Sequence, residues 1–397
     1  MSATEAVGSA KPSESPWPFV LLVFGVSRLF FSWVGMLAAL LLPWTSPGGV
    51  LAPAGYMNYW AHWDGAWYSA IATDGYDFRA PESTTFFPLY PMLVRTGTVI
   101  GVGPALWGVL VSVVSTLFAL YFLYRISEKL LDARTAKAAT LAFAFFPTAF
   151  FLNAVYTEAL FVALTTGSFW AAYVRRDLLL AGLFGALAAA TRNFGILLLI
   201  PLGYEWLRNR EEFGWRGVLG MGLVPVGLVG YMAFLWYRFG DPFIFFSQQA
   251  EYWSRDLTDP ETALGMAWTS AGEGAGYVLD PATLFLDHAA NPALEASNTV
   301  NFAFLVVFLI LMGIGFVLLP PGLSVYTFLV TLLPILTPAP SIPLMGLPRY
   351  MLGAFALFLI LGYLISRSRS TLVLWLLLSG GLGMALTTLF VTWRWVA

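Results

Sequence analysis

The sequence predicts an all-α polytopic membrane protein, and three observations carry that reading. Of its 397 residues, 59% are hydrophobic and only 11% charged, against roughly 25% charged in an ordinary soluble domain. Apolar segments recur along the chain, at 19–44, 104–124, 136–152, 157–174, 178–191, 194–207, 216–237, 301–319, 322–338, 350–366 and 371–391, which makes about eleven transmembrane helices. Lysine and arginine are also divided unevenly between alternate loops, as they are in proteins oriented across a bilayer.

Residues 1–16 are small, polar and proline-containing, and read as a disordered cytoplasmic tail. The apolar run from Phe19 to Trp44 is longer than the roughly 7–15 residues of a signal-peptide core, so it reads as a retained first span. Several later segments are short for the roughly 20 residues a bilayer asks of a helix. The pairs around Tyr156 and around Arg192 are compatible with short spans or with re-entrant hairpins, whose ends must be enclosed by protein or line a watery cavity. Residues 17–397 therefore read as a single transmembrane domain with two large external loops, 45–103 and 238–300.

Orientation follows from the cations. Lys11, Arg125, Lys129, Arg134, Lys137, Arg175, Arg176, Arg208, Arg210, Arg216, Arg367 and Arg369 fall in one set of loops, twelve against seven in the other. The richer set is expected in the cytoplasm, which places both large loops outside. Asp64, Asp74, Glu158, Arg192, Arg238, Arg255 and Arg349 then gather at or above the outer helix ends. Secondary transporters often show repeats and midplane charges, and neither is visible here. A one-sided polar site over an apolar bundle suits an enzyme working on lipids at the interface.

Within HWDGAWYSAIATDGY, residues 62–76, helical spacing puts Trp60, Asp64, Trp67, Tyr68 and Ile71 on one face. A carboxylate set among aromatic rings has the profile of a general base. The alternative is a plain helix cap before Gly65. Arg192 and Arg349 are candidates for a phosphate, since guanidinium offers a planar, permanently charged fork. For Arg192, a structural pairing with Glu158 competes with that role. Arg349 follows Pro348 at an expected helix start, itself an anion site. His62 could bond an acceptor hydroxyl or be a satisfied polar side chain, and Asp74 reads more readily as a turn residue before Gly75. Gln248, Trp253 and Arg255 could contact sugar, although aromatic packing explains them nearly as well. Arg28, inside the first span, has no evident role.

The same motifs carry a resemblance. HWDGAWYSAIATDGY followed by FFPLYPMLVR (86–95), NAVYTEALFV (153–162), AAATRNFGILLLIP (188–201), YRFGDPFIFFSQQAEYW (237–253) and LPRY (347–350) together resemble the PIG-V-like mannosyltransferases of the GT-C glycosyltransferase superfamily. The resemblance implies a GT-C-like bundle, a polyprenyl-phosphate-mannose donor, and a catalytic aspartate in the first external loop, matched here by Asp64. It brings Trp63, Tyr156, Glu158 and Tyr350 into the substrate-binding candidates. The chain departs from the family in being shorter than its eukaryotic members and in having a single clear Trp-Asp, so the acceptor does not carry over beyond a lipid-linked or glycan hydroxyl. The implied membrane is the plasma membrane of a prokaryote or the endoplasmic reticulum of a eukaryote. There are no cysteines and only two histidines, His62 and His288, and no DxD motif. Neither a metal nor another cofactor is expected, and nucleic acid is not an expected partner. A transporter or flippase of a lipid-linked sugar, which would need no base, is the competing reading. A structural subunit of a glycosylation complex is a third.

Overall fold

The computed structural model describes residues 15–45, 56–77, 79–286 and 291–396. The expected N-terminal tail falls almost wholly outside the described residues, as do residues 46–55 of the first external loop and His288 in the second. Among the described residues the chain is helical throughout, with no strand beyond one bridge between Ala339 and Ile342.

Five helices are long and apolar enough to cross a bilayer. They are α1 (Trp17–Leu41), α4 (Pro104–Leu130), α9 (Arg210–Phe239), α13 (Asn291–Leu318) and α17 (Arg369–Val391). Six further apolar segments also form helices, but of only 10 to 15 residues: α5 (Ala133–Ala144), α6 (Glu158–Trp170), α7 (Leu178–Thr191), α8 (Leu199–Arg208), α14 (Pro321–Ile335) and α16 (Ala356–Ile365). At 1.5 Å per residue each is short of a bilayer core of about 30 Å. Of the about eleven transmembrane helices expected, five have spanning length among the described residues, and the other six apolar segments form helices too short to cross a bilayer by themselves. The helices α2 (Asp64–Asp74), α3 (Leu89–Val99), α10 (Ile244–Glu251), α12 (Pro281–Leu286) and α15 (Leu347–Tyr350), all short, and the 19-residue α11 (Pro260–Val278) complete the described fold.

The shortness has local causes. Around Arg192 the chain leaves α7 in an extended conformation and continues as a 3-10 turn over Asn193–Leu198 before α8. Between α5 and α6 lies an irregular stretch with a single 3-10 turn at Ala149–Leu152, and every side chain from Phe150 to Glu158 is buried. A buried loop must find partners for its backbone groups, and neighbouring helices supply them. Ser112 of α4 donates to the Ala154 carbonyl (2.7 Å) and Thr116 to that of Leu152 (3.2 Å). The Val155 amide donates to the Trp60 carbonyl at 2.8 Å.

Arg28 now has a role. From α1 it donates through Nη1 to the Ala149 carbonyl (2.9 Å) and Asn153 Oδ1 (2.7 Å), and through Nη2 to the Ala144 carbonyl (3.0 Å). One guanidinium thereby ties off the carbonyl end of α5 and anchors the loop that follows. Elsewhere, small residues let helices touch. A Cβ added to Gly182 of α7 would lie 1.8 Å from the Gly220 carbonyl oxygen of α9, so the α7–α9 contact depends on glycine, as close membrane helix pairs commonly do.

Arg28→Met keeps the volume and removes every donor. It strands acceptors in a dry interior at a cost of about 1–3 kcal/mol per group, so the detergent-solubilised variant is expected to melt well below wild type. An unchanged melting temperature would show that those carbonyls find other partners.

Candidate active site

Three backbone breaks deliver the side chains of the site. The first lies before α2. Trp63 adopts φ 55°, an uncommon conformation for a bulky residue, and is held there by edge-on contacts with Trp395 (5.0 Å between centroids) and Trp393 (5.6 Å). This kink separates Trp60, in a 3-10 turn over Tyr56–Ala61, from α2. The single helical face expected to join Trp60 to Asp64 is therefore broken at Trp63. Asp64 is the first residue of α2 and caps nothing with its side chain; Oδ2 instead accepts from Arg349 Nη1 at 2.7 Å. Tyr68 and Ile71 turn inward against protein, with the Tyr68 hydroxyl 3.3 Å from Thr157 Oγ1.

The second break is at Gly346, whose φ of 73° starts the one-turn helix α15. Gly346 and Pro348 shape a turn whose Pro348 carbonyl accepts from Thr148 at 2.9 Å, and the turn sends Arg349 into the interior, where its side chain is 7% exposed. Its Nε lies 3.3 Å from Glu158 Oε1, near enough to pair charges although not aligned as a hydrogen bond. Its Nη2 donates to the Tyr350 hydroxyl at 3.2 Å, and its guanidinium lies over the rings of Tyr156 (5.2 Å) and Phe151 (5.4 Å).

The third break is at Arg192, the extended residue ending α7. Its Nη1 donates to Glu158 Oε1 at 2.8 Å and to Thr157 Oγ1 at 3.3 Å, and its guanidinium lies over Tyr350 at 4.8 Å. Glu158, 3% exposed at the start of α6, thus sits between two arginines. Arg255 joins from the second loop, donating to the Tyr350 hydroxyl at 3.1 Å and to the Thr337 carbonyl at 3.1 Å. A narrow cleft opens among Glu158, Arg192, Arg349 and Tyr350, walled by Phe161 and Phe194. Three arginines face two carboxylates, so the site holds a positive excess, while the Asp64 side chain stays 28% exposed. Such a site can hold a phosphate beside a carboxylate that water or a hydroxyl can reach.

The structure gathers Asp64, Glu158, Arg192, Arg255, Arg349 and Tyr350, with Tyr156 and Trp63 supporting them. Tyr156 donates to the His62 carbonyl at 2.9 Å, bracing the turn into α2. Trp253 packs edge-on against Trp67 and Phe86 at 5.9 Å each and donates to Thr85, which joins the two loops above the site. Gln248 is buried and donates to Glu251 within its own helix. Asp74 is exposed at the far end of α2. His62 is 1% exposed, stacked on Trp393 at 3.9 Å, and its Nδ1 lies 3.1 Å from the Phe390 carbonyl. Because a carbonyl only accepts, Nδ1 carries the proton, and the ring braces the loop from below. Thr157 and the Trp393–Trp395 pair escaped the sequence reading, which had placed Tyr68 on the Asp64 face without a partner. Only the paired tryptophans offered a signal there, as an aromatic cluster with no chemistry attached.

A helical membrane bundle with an arginine–carboxylate site at one end defines the class, and comparison with known proteins agrees. The fold is similar to that of ArnT from Cupriavidus metallidurans bound to undecaprenyl phosphate, with a TM-score of 0.52, 14% identity, 89% of this chain covered and 61% of ArnT. The oligosaccharyltransferase AglB from Archaeoglobus fulgidus, in complex with an inhibitory peptide and a dolichol-phosphate, gives a TM-score of 0.44 at 13% identity, covering 93% of this chain and 56% of AglB. The chain thus spans about three fifths of the length of these structures. Its likeness to ArnT is one of fold, the GT-C membrane fold. No curated protein matches the sequence.

Residues 38–208 match the family model described as mannosyltransferase (PIG-V). Over that stretch, which holds Asp64, Glu158 and Arg192 and is less than half of the chain, the sequence is similar to the PIG-V mannosyltransferase family. Arg255 and Arg349 lie beyond the matched residues.

Burial lowers the His62 pKa from 6.5 to about 4, with the Phe390 hydrogen bond opposing only part of that shift. The unfolded chain takes up this proton near pH 6.5 and the folded chain only near pH 4. The stabilising contribution is therefore complete above pH 6.5 and is lost as pH falls toward 4, by about 3 kcal/mol at most. Thermal melts from pH 7 to 4.5 should fall more steeply for wild type than for His62→Gln, and parallel slopes would contradict the assignment.

Proposed function

We propose that the protein transfers mannose, with inversion, from polyprenyl-phosphate mannose to a hydroxyl of a lipid-linked or glycan acceptor on the extracytoplasmic face of the membrane. The observation that carries this reading is the 2.7 Å contact between Asp64 Oδ2 and Arg349 Nη1, in a site where arginines outnumber carboxylates. The family match supports the sugar, and the fold shared with ArnT, whose structure holds undecaprenyl phosphate, agrees with a polyprenyl-phosphate donor. The lysine and arginine asymmetry supports the outward orientation and a cytoplasmic N-terminus. Residues 17–397 act as one domain in this account.

The chemistry follows from the pairings. Without donor, Arg349 is held by Asp64 and Glu158. A donor phosphate placed in the cleft competes with Asp64 for the Arg349 fork, and Arg192 offers a second cation. Releasing Asp64 leaves a carboxylate free to take the proton of an acceptor hydroxyl. The acceptor oxygen bonds to the anomeric carbon as the carbon–phosphate oxygen bond breaks. The electron pair leaves on phosphate oxygen, where the arginines stabilise the growing charge, and a single displacement inverts the centre. Glu158 stays in place throughout, since two arginines in a dry interior would otherwise be uncompensated.

Asp64→Asn keeps the shape and removes the basicity, so transfer of radiolabelled mannose from polyprenyl-phosphate mannose should fall by about 10²-fold or more. Arg349→Lys keeps charge but loses the fork and should be impaired, with Arg349→Ala worse. The alanine variant should lose about 2–4 kcal/mol of transition-state stabilisation, by analogy with loss of one oxyanion donor, and lose it in kcat. If Asp64→Asn keeps near-wild-type transfer while remaining folded, Asp64 is no base and a lipid-linked-sugar flippase becomes the better reading.

A further inference from the structure

A second cleft lies far from Asp64. It has a volume of about 420 Å³ between the start of α5 and the start of α17. Phe390, near the other end of α17, touches His62 beside the site. Arg369 begins the helix, so its length alone puts the cleft about 30 Å away at 1.5 Å per residue. Arg134, Lys137 and Arg369 line it, and Ala138, Leu141 and Leu372 give it an apolar floor.

Its electrostatics are one-sided. Among the described residues no carboxylate pairs with Arg134, Lys137 or Arg369. Arg134 spends one amine on the Arg367 carbonyl at 3.1 Å, Lys137 lies over the Phe19 ring, and Arg367 lies over Tyr363. The nearby carboxylate of Asp132 is engaged elsewhere, accepting from the backbone and hydroxyl of Thr135 at 2.8 Å each as the cap of α5. Four cations therefore lie near one occupied acid, beside the apolar floor of Ala138, Leu141 and Leu372.

We propose that this cleft binds an anionic glycerophospholipid, its phosphate among Arg134, Lys137 and Arg369 and an acyl chain along Leu141 and Leu372. Charge complementarity selects the headgroup, because a basic pocket between membrane helices favours anionic lipid. The apolar floor distinguishes a lipid from a free anion. The α17 N-terminus, which no side chain caps, adds backbone amides facing the same region. The site is separate from the proposed donor cleft in place and in residues.

Native mass spectrometry of the full chain, released from nanodiscs containing equal phosphatidylglycerol and phosphatidylcholine, reads this directly. Wild type should retain phosphatidylglycerol in preference to phosphatidylcholine, and millimolar inorganic phosphate should not displace it. Lys137→Gln with Arg369→Gln should weaken retention by about 10-fold or more, on the scale of two surface cations. Should that variant not fold, Leu372→Trp, which fills the floor and leaves every charge, should do the same. Equal retention of both lipids by wild type, displacement by phosphate alone, or undiminished retention by a folded variant would each overturn the proposal.

Discussion

Everything about this site depends on placing Arg349 where water scarcely reaches. A guanidinium in such surroundings needs compensating charge and hydrogen bonds, and the fold supplies two carboxylates and hydrogen bonds to Nη1 and Nη2. Asp64 and Glu158 bring charge, the Tyr350 hydroxyl accepts a hydrogen bond, and the faces of Tyr156 and Phe151 add cation–π attraction. Glu158 in turn needs Arg192. Four charges from four distant parts of the chain are thereby bound to one another. The carboxylate left partly open to solvent is Asp64, the one whose chemistry requires access.

The short helices follow from the same constraint. A continuous span would hide its ends at the membrane surfaces, whereas the ends of α6, α7 and α15 meet inside protein. Their exposed backbone groups are the reason for the side-chain clamps around them. Arg28 ties the carbonyl end of α5, Ser112 and Thr116 of α4 hold the loop after it, and Thr148 reaches across to the Pro348 carbonyl. The irregular loop before Glu158 touches both the Asp64 turn, through Tyr156 and His62, and the Arg349 turn, through Thr148. Its rigidity sets the geometry between proposed base and proposed phosphate ligand.

Much of this was legible in the sequence because membrane proteins write their fold in hydrophobicity. Each apolar segment formed a helix over at least part of its length, and the polar residues read from the sequence as gathered at one set of helix ends include the ones that meet. Pairing was legible where chemistry leaves few options: Arg192 in an apolar setting needed an acid, and Glu158 stood nearby. Three things were not legible. Spanning length is set by internal breaks: the boundary at Arg192 was readable, but nothing in the alternation of apolar residues marks Phe145, inside the apolar run 136–152, as a helix end. The break at Trp63 depends on Trp393 and Trp395, over 300 residues away, so local spacing extended the helix back to Trp60. Arg28 looked anomalous because its partners are backbone carbonyls, which every residue type has.

The central claim is that donor phosphate and Asp64 compete for one guanidinium. An experimental structure of the protein with polyprenyl-phosphate mannose bound, set beside one without it, tests this most directly. The account predicts Arg349 on the phosphate, Arg192 beside it, and the Asp64 carboxylate drawn away from the guanidinium to face open space next to the anomeric carbon. A bound donor with the Asp64–Arg349 pair intact and its phosphate held by other residues would contradict it.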